Sequence, residues 1–381
     1  MISDHEYGVL LVSFSRHSHQ QSFIQAFKDH PRIRIIGVAD DPDIDPYLKP
    51  LNQAWAKKLG VPYIEPIEEA IKQEGVDIVS VGHEIERRSR IAVMAASAGK
   101  HLWIDKFIGA NLAECDAVVE AVNQAGVKSI LPSYVYNSLV RQCHQAVASE
   151  SPGELIGIHV DIMFNKGLPT PIPDEIRKPF FLPPGRWKFP NIKRELLTVG
   201  AYAVGLILGC FDRITEVYGQ GDAYFFQEHA KHGAEDFGTL TLVDENGRIG
   251  TISAGRIGVG THGASGPQQA FLFGTGGTVF IDGTRPRFDT HIRSSILEAS
   301  YEPPHDDPMQ WASSTPSQVI GIFDDPMTLA LEDFIRALDE DDAPQFTVHH
   351  ARDHLEILLA GYHAIVQNKP VPLPLDEEPV S

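Results

Sequence analysis

Short apolar runs alternate with helical patterns through the first third of the chain. Gly8 to Ser13 (GVLLVS), Arg34 to Asp40 (RIIGVAD), Val76 to Val81 (VDIVSV), His101 to Ile104 and Val127 to Pro132 are unbroken apolar stretches of strand length. Between them lie helical patterns: Phe23 and Phe27 four residues apart, Leu51 to Leu59, the charged stretch Glu65 to Glu74, Arg88 to Ala98 stopped by Gly99, and Asn111 to Ala125 stopped by Gly126. Strands that are apolar on both faces and alternate with helices predict a parallel sheet covered by helices. This is a Rossmann-type, doubly wound α/β fold, whose ligand site lies beyond the C-terminal ends of the strands.

From Glu154 the texture changes to alternating strands: Ile156 to Phe164, Phe237 to Val243, Ile249 to Ala254, Ala270 to Gly274 and Thr278 to Ile281. The turn Asp244-Glu-Asn-Gly247 between two of them predicts an antiparallel hairpin. A Pro-rich loop (Leu168 to Pro190) precedes a helical stretch from Arg194 to Leu208, and residues 284–325 read as irregular, a long arm or lid. Helices at Met327 to Leu338 and Ala351 to Gln367 and an extended tail close the chain. The expectation is a dinucleotide-binding domain at 1–135 followed by an α+β domain with an open, mainly antiparallel sheet at 136–381.

Composition narrows the partners. The 381 residues carry 32 basic and 51 acidic side chains, a net charge of −19, which disfavours nucleic acid and anionic membrane surfaces. No apolar run approaches the roughly 18–20 residues of a membrane span. The N-terminus shows no basic and apolar leader pattern, and three widely spaced cysteines suit a reducing compartment, so the expected location is the cytoplasm. Of the 17 histidines, His17/His19 and His349/His350 are the closest pairs, and neither has the acids and spacing of a zinc site, so no metal is expected.

The candidate chemistry sits at strand ends. After the first strand, Ser13, Ser15 and Ser18 in SFSRHSH occupy the places of glycines in G-x-G-x-x-G. Serine hydroxyls and Arg16 can contact phosphate there, but each serine adds a Cβ that hinders close approach, so a turn that no longer holds pyrophosphate closely is the alternative. Asp40 ends the second strand, where an acid accepts from ribose hydroxyls and favours NAD over NADP; a plain strand-ending acid, with Asp41 its rival, is the other reading. Lys106 follows a strand in HLWIDK and can donate to a substrate oxygen, or is a surface lysine. Thr198 and Tyr202, four apart, share a helical face, and Tyr202 is either a proton donor or a core aromatic. Glu195 is either part of that face or a helix-dipole residue.

Five stretches resemble the Gfo/Idh/MocA family of oxidoreductases: GVADDPD, EEAIKQEGVDIVSV, AASAGKHLWIDKFIGANLAE, EDFGTLTLVDENGRIGTI with FLFGTGGTVFIDG, and the segment from ALEDFIRAL to the PVPLPL tail. The resemblance implies an NAD(P)-dependent oxidoreductase acting on a sugar, cyclitol or related polyol. It also implies a homodimer or homotetramer formed through the open sheet. It places the active-site lysine of the family's E-K-P motif on Lys106, with Asp105 for the acid and Phe107 for the proline. The D-x-G-x-x-H motif falls loosely on Thr198-Val-Gly-Ala-Tyr202, and T-P-N-x-x-H becomes His83-Glu-Ile-Glu-Arg-Arg88. The implied catalytic set is Lys106, Tyr202 and Thr198. The implied cofactor set is Ser13, Ser15, Arg16, Ser18, Asp40, His83, Glu84, Asp105 and Lys106. Because the departures fall on chemistry while scaffold segments are kept, two rivals stand: a non-catalytic sugar- or nucleotide-binding homologue, and one that keeps its cofactor for non-redox chemistry.

Overall fold

The computed structural model describes residues 5–15, 18–132, 136–150, 152–180, 188–189, 192–258, 266–284, 287–292, 296–298, 312–314, 317–318 and 325–375. The chain forms two compact units, the first comprising 1–136 and 324–356, the second 137–323 and 357–379.

In the first unit the expected strands and helices follow one another: β1 (Tyr7–Val12), α1 (Gln20–Asp29), β2 (Ile33–Ala39), α2 (Leu48–Leu59), β3 (Tyr63–Ile64), α3 (Ile67–Ile71), β4 (Ile78–Val81), α4 (Ile85–Ser97), β5 (His101–Ile104), α5 (Leu112–Ala125) and β6 (Ser129–Ile130). All strand pairs are parallel, in the order β3-β2-β1-β4-β5-β6. The order reverses between β1 and β4, the place where such sheets open a ligand crevice. β1 and β4 are buried along their whole length, as strands covered on both faces must be. Gly60 and Gly126 end α2 and α5 in the left-handed conformation, and Asn111 caps α5 by accepting from the Glu114 N–H at 2.8 Å.

The second unit is built on one nine-stranded sheet. Its elements are α6 (Ser138–Ala148), β7 (Leu155–Asn165), the small hairpin β8 (Lys188–Phe189) and β9 (Ile192–Lys193), a π-helical segment Leu196–Gly200, α7 (Ala201–Leu208), β10 (Ile214–Asp222), α8 (Gln227–Ala230), β11 (Phe237–Asp244), β12 (Ile249–Ile257), β13 (Gln268–Gly274), β14 (Gly277–Asp282), β15 (Arg287–Ile292), β16 (Ile296–Glu298), β17 (Ala312–Ser314) and β18 (Ser317–Gln318). The chain closes with α9 (Pro326–Asp339), α10 (Val348–Gln367) and β19 (Val371–Pro372). The sheet order is β18-β15-β14-β13-β7-β12-β11-β10-β19, antiparallel except for β7 against β12. The expected hairpin joins β11 to β12 through Gly247 at φ +78°. One face buries Val160, Leu240, Ile252, Ala270, Leu272 and Ile281, while Phe271 and Phe273 stand on the other at 36% and 43% exposure.

Three features depart from the sequence reading. The segment expected to be irregular contains β15, which pairs with β14 along its length. The stretch from Arg194 to Leu208 is not one α-helix, because its first part winds as a π segment. The closing helices also serve the first unit: Phe334 of α9 meets Trp103 of β5 at 6.1 Å between rings, and Asp339 accepts from Tyr7 at 3.0 Å and pairs with Arg32 at 2.7 Å.

Candidate functional site

At the end of β1 the chain turns sharply at Ser13, whose φ of +61° is unusual for any residue with a Cβ. Asn52 of α2 holds this turn, accepting from the Phe14 N–H at 2.8 Å and donating to Ser13 Oγ at 3.3 Å. Phe14 is buried and stacks on Trp55 at 5.1 Å between rings. Ser15 is buried, and its hydroxyl has no hydrogen-bond partner. Ser18 is half-buried and accepts from the Gln20 N–H at 3.3 Å. Arg16 lies outside the described residues. Gln20 begins α1 and crosses the crevice to β4, accepting from Ser80 Oγ at 2.9 Å and donating to the Ser80 carbonyl at 3.3 Å. Gly82 is required beneath it, since a Cβ there would lie 2.8 Å from Gln20 Oε1.

Asp40, just after β2, is fully buried. Its carboxylate accepts from Asn52 Nδ2 and from the Asp41 N–H at 3.2 Å, and His83 Nε2 lies 3.0 Å from Oδ1. His83 follows β4, and its Nδ1 accepts from the Glu84 N–H at 2.7 Å. Glu84 starts α4 and accepts from the Tyr47 hydroxyl at 3.1 Å. Asp41 is also buried and pairs with Arg87, at 3.2 Å, and with Arg90.

Asp105 and Lys106 leave β5 on the same side of the sheet. Asp105 is wholly buried and accepts from the His19 N–H at 2.7 Å, His19 Nδ1 at 2.8 Å and the Lys106 N–H at 2.8 Å, with Arg88 Nη2 at 3.4 Å. Burial raises the Asp105 carboxyl pKa, but the His19 imidazole and the Arg88 guanidinium outweigh it and hold the group well below the usual carboxylate range. Lys106 is buried, and its peptide to Phe107 is cis. Arg88, buried in α4, donates to the carbonyls of His83 at 2.7 Å, of Phe107 at 3.3 Å and of Lys106. The structure thus gathers Ser13, Ser15, Ser18, Asp40, His83, Glu84, Asp105 and Lys106 at the C-terminal ends of β1, β2, β4 and β5.

Asn52, Gln20 and Arg88 escaped the sequence reading as site residues. The one visible signal was Arg88 itself, a cation standing in a helical pattern where the family's motif has histidine.

In the second unit Thr198 lies in the π segment, its hydroxyl bonded back to the Arg194 carbonyl at 2.8 Å. Tyr202 is half-buried in the first turn of α7. The π turn, a form that often marks functional sites, is fixed by two distant acceptors. Glu235 accepts from the Leu196 N–H at 3.0 Å, and the Tyr362 hydroxyl accepts from the Leu197 N–H at 3.3 Å while donating to Glu235. Burial raises the Glu235 carboxyl against the lowering effect of Arg194, 3.6 Å away. Glu195 lies 3.0 Å from Arg256 Nε and 3.6 Å from His229 Nε2. Among the described residues no group of three or more His, Cys, Asp or Glu side chains is placed to hold a metal ion, and no helix is long and apolar enough to cross a membrane.

A dinucleotide fits the first unit on one observation above others: a buried serine hydroxyl without a partner stands in the turn where the strand order reverses. Comparison with known proteins agrees. Residues 12–132 match the GFO_IDH_MocA oxidoreductase family, NAD-binding Rossmann fold, and residues 140–280 match the GFO/IDH/MocA C-terminal domain. The chain is 25% identical over 231 residues to myo-inositol 2-dehydrogenase of Thermotoga maritima, a stretch covering 60% of this chain and 64% of that enzyme, so it spans less than two thirds of that relative's length. The fold is shared with the WlbA dehydrogenase of Bordetella pertussis, solved with NADH and UDP-GlcNAcA (TM-score 0.72, 18% identity, 99% and 100% of the two chains). It is shared also with an oxidoreductase domain protein of Kribbella flavida (TM-score 0.75, 16% identity, 97% and 100%). A levoglucosan dehydrogenase solved with NADH and levoglucosan has it too (TM-score 0.74, 14% identity, 97% and 100%). With both halves matched in chain order, the protein belongs to the GFO/IDH/MocA oxidoreductase family.

Proposed function

We propose that the chain is a nicotinamide-dinucleotide-dependent oxidoreductase whose substrate is a sugar, cyclitol or related polyol. The unpartnered Ser15 hydroxyl carries this reading, because a buried donor is retained where a phosphate oxygen would accept from it. The turn of Ser13, Ser15 and Ser18 and the N-terminus of α1 would hold the pyrophosphate, and the Asp40 end of β2 the ribose. When bound, the nicotinamide supplies or accepts the hydride exchanged with a hydroxyl or carbonyl carbon. Lys106 hydrogen-bonds the substrate oxygen, Tyr202 passes its proton, and Thr198 orients the substrate; Arg88 fixes the backbone that follows the lysine by donating to the Lys106 and Phe107 carbonyls. NAD is favoured over NADP, since Asp40 brings a buried carboxylate to the end of β2, where a 2′-phosphate would lie.

The three cysteines are buried and none forms a disulfide among the described residues, which supports a reducing, cytoplasmic setting. The open sheet face supports a homodimer or homotetramer: Phe271 packs on Phe280 at 4.6 Å between rings and beside Phe273 at 6.5 Å, an aromatic patch left partly exposed in one chain. Fluorescence titration tests the cofactor assignment. NADH should bind more tightly than NADPH, and Asp40→Ala should narrow the gap; tighter NADPH binding would overturn the NAD preference and turn attention to Arg16.

A further inference from the structure

α2 buries Leu48, Asn52 and Ala56 on one face, so a fully buried amide stands in an otherwise apolar stripe. Asn52 Oδ1 accepts from the Phe14 N–H at 2.8 Å, and because an N–H must meet an oxygen, this bond fixes which way the amide faces. Nδ2 then donates to Ser13 Oγ at 3.3 Å and to the buried Asp40 carboxylate. One side chain thereby ties the turn after β1 to the end of β2. Trp55, one turn further along the same helix, stacks on the Phe14 ring at 5.1 Å with 11° between the planes. α2 grips residue 14 twice, by its backbone and by its ring.

The grip falls where the backbone is strained. The Ser13 N–H still bonds to the Ala39 carbonyl of β2 at 3.1 Å, and the next N–H, that of Phe14, is the one Asn52 takes. Between them Ser13 is held at φ +61°. A left-handed backbone is disfavoured for a residue with a Cβ, and glycine is the usual occupant of such a turn. Without Asn52, Ser13 would relax toward an ordinary conformation and the buried Phe14 N–H would lose its acceptor. Ser15 and the start of α1 follow directly in the chain, so they would shift with the turn.

We propose that Asn52 is a positioning residue for the dinucleotide: it holds the Ser13 turn in its left-handed shape, supplying from a side chain the preference that glycine would bring. The proposal rests on the cofactor reading above and adds to it a residue that acts on the ligand through the turn. A protein whose binding-competent turn is populated only in part loses affinity in proportion, and this is the effect that removing Asn52 should have.

The test is fluorescence titration with NADH or NADPH, whichever wild type binds more tightly. It compares wild type, Asn52→Ala, Ser13→Gly and the double variant, each first checked for folding by circular dichroism. Asn52→Ala should weaken binding on the order of tenfold, the scale of one residue's left-handed penalty. In the Ser13→Gly background the same change should weaken it by about threefold or less, because glycine keeps a positive φ unaided. A general loss of packing would lower affinity equally in both backgrounds. Equal losses, or no loss in either, would overturn the role of Asn52 and leave the cofactor reading intact. Should Asn52→Ala fail to fold, the double variant decides. Binding within about threefold of Ser13→Gly supports the proposal, and an unfolded or more weakly binding double variant overturns it. Failure of wild type to bind either nucleotide would overturn both the proposal and the cofactor reading.

Discussion

At the scale of single residues, the first unit is organised around two buried charges, Arg88 and Asp105. Arg88 holds three carbonyls and one carboxylate, so its removal leaves acceptors buried without donors. Arg88→Met should cost about 3–5 kcal/mol, the range for breaking a buried charge pair from one side, readable as a lowered urea midpoint with an unchanged slope. Arg88→Lys should recover little of it, because an ammonium cannot span the same set of acceptors. Asp105 makes a pH prediction. Its folded pKa lies below that of the unfolded chain, so its contribution to stability is present above about pH 4 and is lost as pH falls through the folded value. Asp105→Asn should therefore be less stable than wild type at neutral pH, and the difference should shrink in acid; a constant difference down the pH scale would contradict the assignment.

At the scale of elements, packing decides which parts of the chain belong together. The aromatic cluster of Phe23, Phe27, Trp103 and Phe334 joins α1, β5 and α9, with Phe334 wholly buried. Phe334→Ala should destabilise by about 3–5 kcal/mol and, in hydrogen exchange, loosen β5 before β13, though β13 lies much nearer in sequence. The strands of the first unit were legible because both faces are buried, which leaves runs such as GVLLVS unbroken. The strand ends, and with them most of the candidate cofactor residues, could be placed from those runs. β10 was not legible: Gly219 and Gly221 replace the branched residues expected in a strand, and they do so because Leu240 and Ile365 pack against them. Nor was the π segment, since its unusual turn depends on acceptors 39 and 165 residues away. Asn52 and Gln20 were hidden for the same reason. A polar residue in a helical pattern reads as solvent-facing until the fold brings buried partners to it.

At the scale of the whole molecule, the open face of the large sheet and the proposed chemistry make separate claims. If the Phe271, Phe273 and Phe280 patch is covered by a second copy, sedimentation at micromolar concentration should show a dimer or tetramer, and Phe271→Asp should shift it toward monomer. A monomeric wild type would refute that assembly. The central claim is hydride exchange between a nicotinamide and a sugar-like alcohol or carbonyl, with Lys106 acting on the substrate oxygen. The most direct measurement is nicotinamide absorbance followed with NAD(H) and NADP(H) across a panel of sugars, cyclitols, polyols and their keto forms, for wild type and Lys106→Met side by side. The account predicts turnover by wild type on at least one member of the panel, and a loss on the order of 10²-fold or more in Lys106→Met with NADH affinity nearly unchanged. No turnover on any member with either cofactor, or equal turnover in the two proteins, would contradict it.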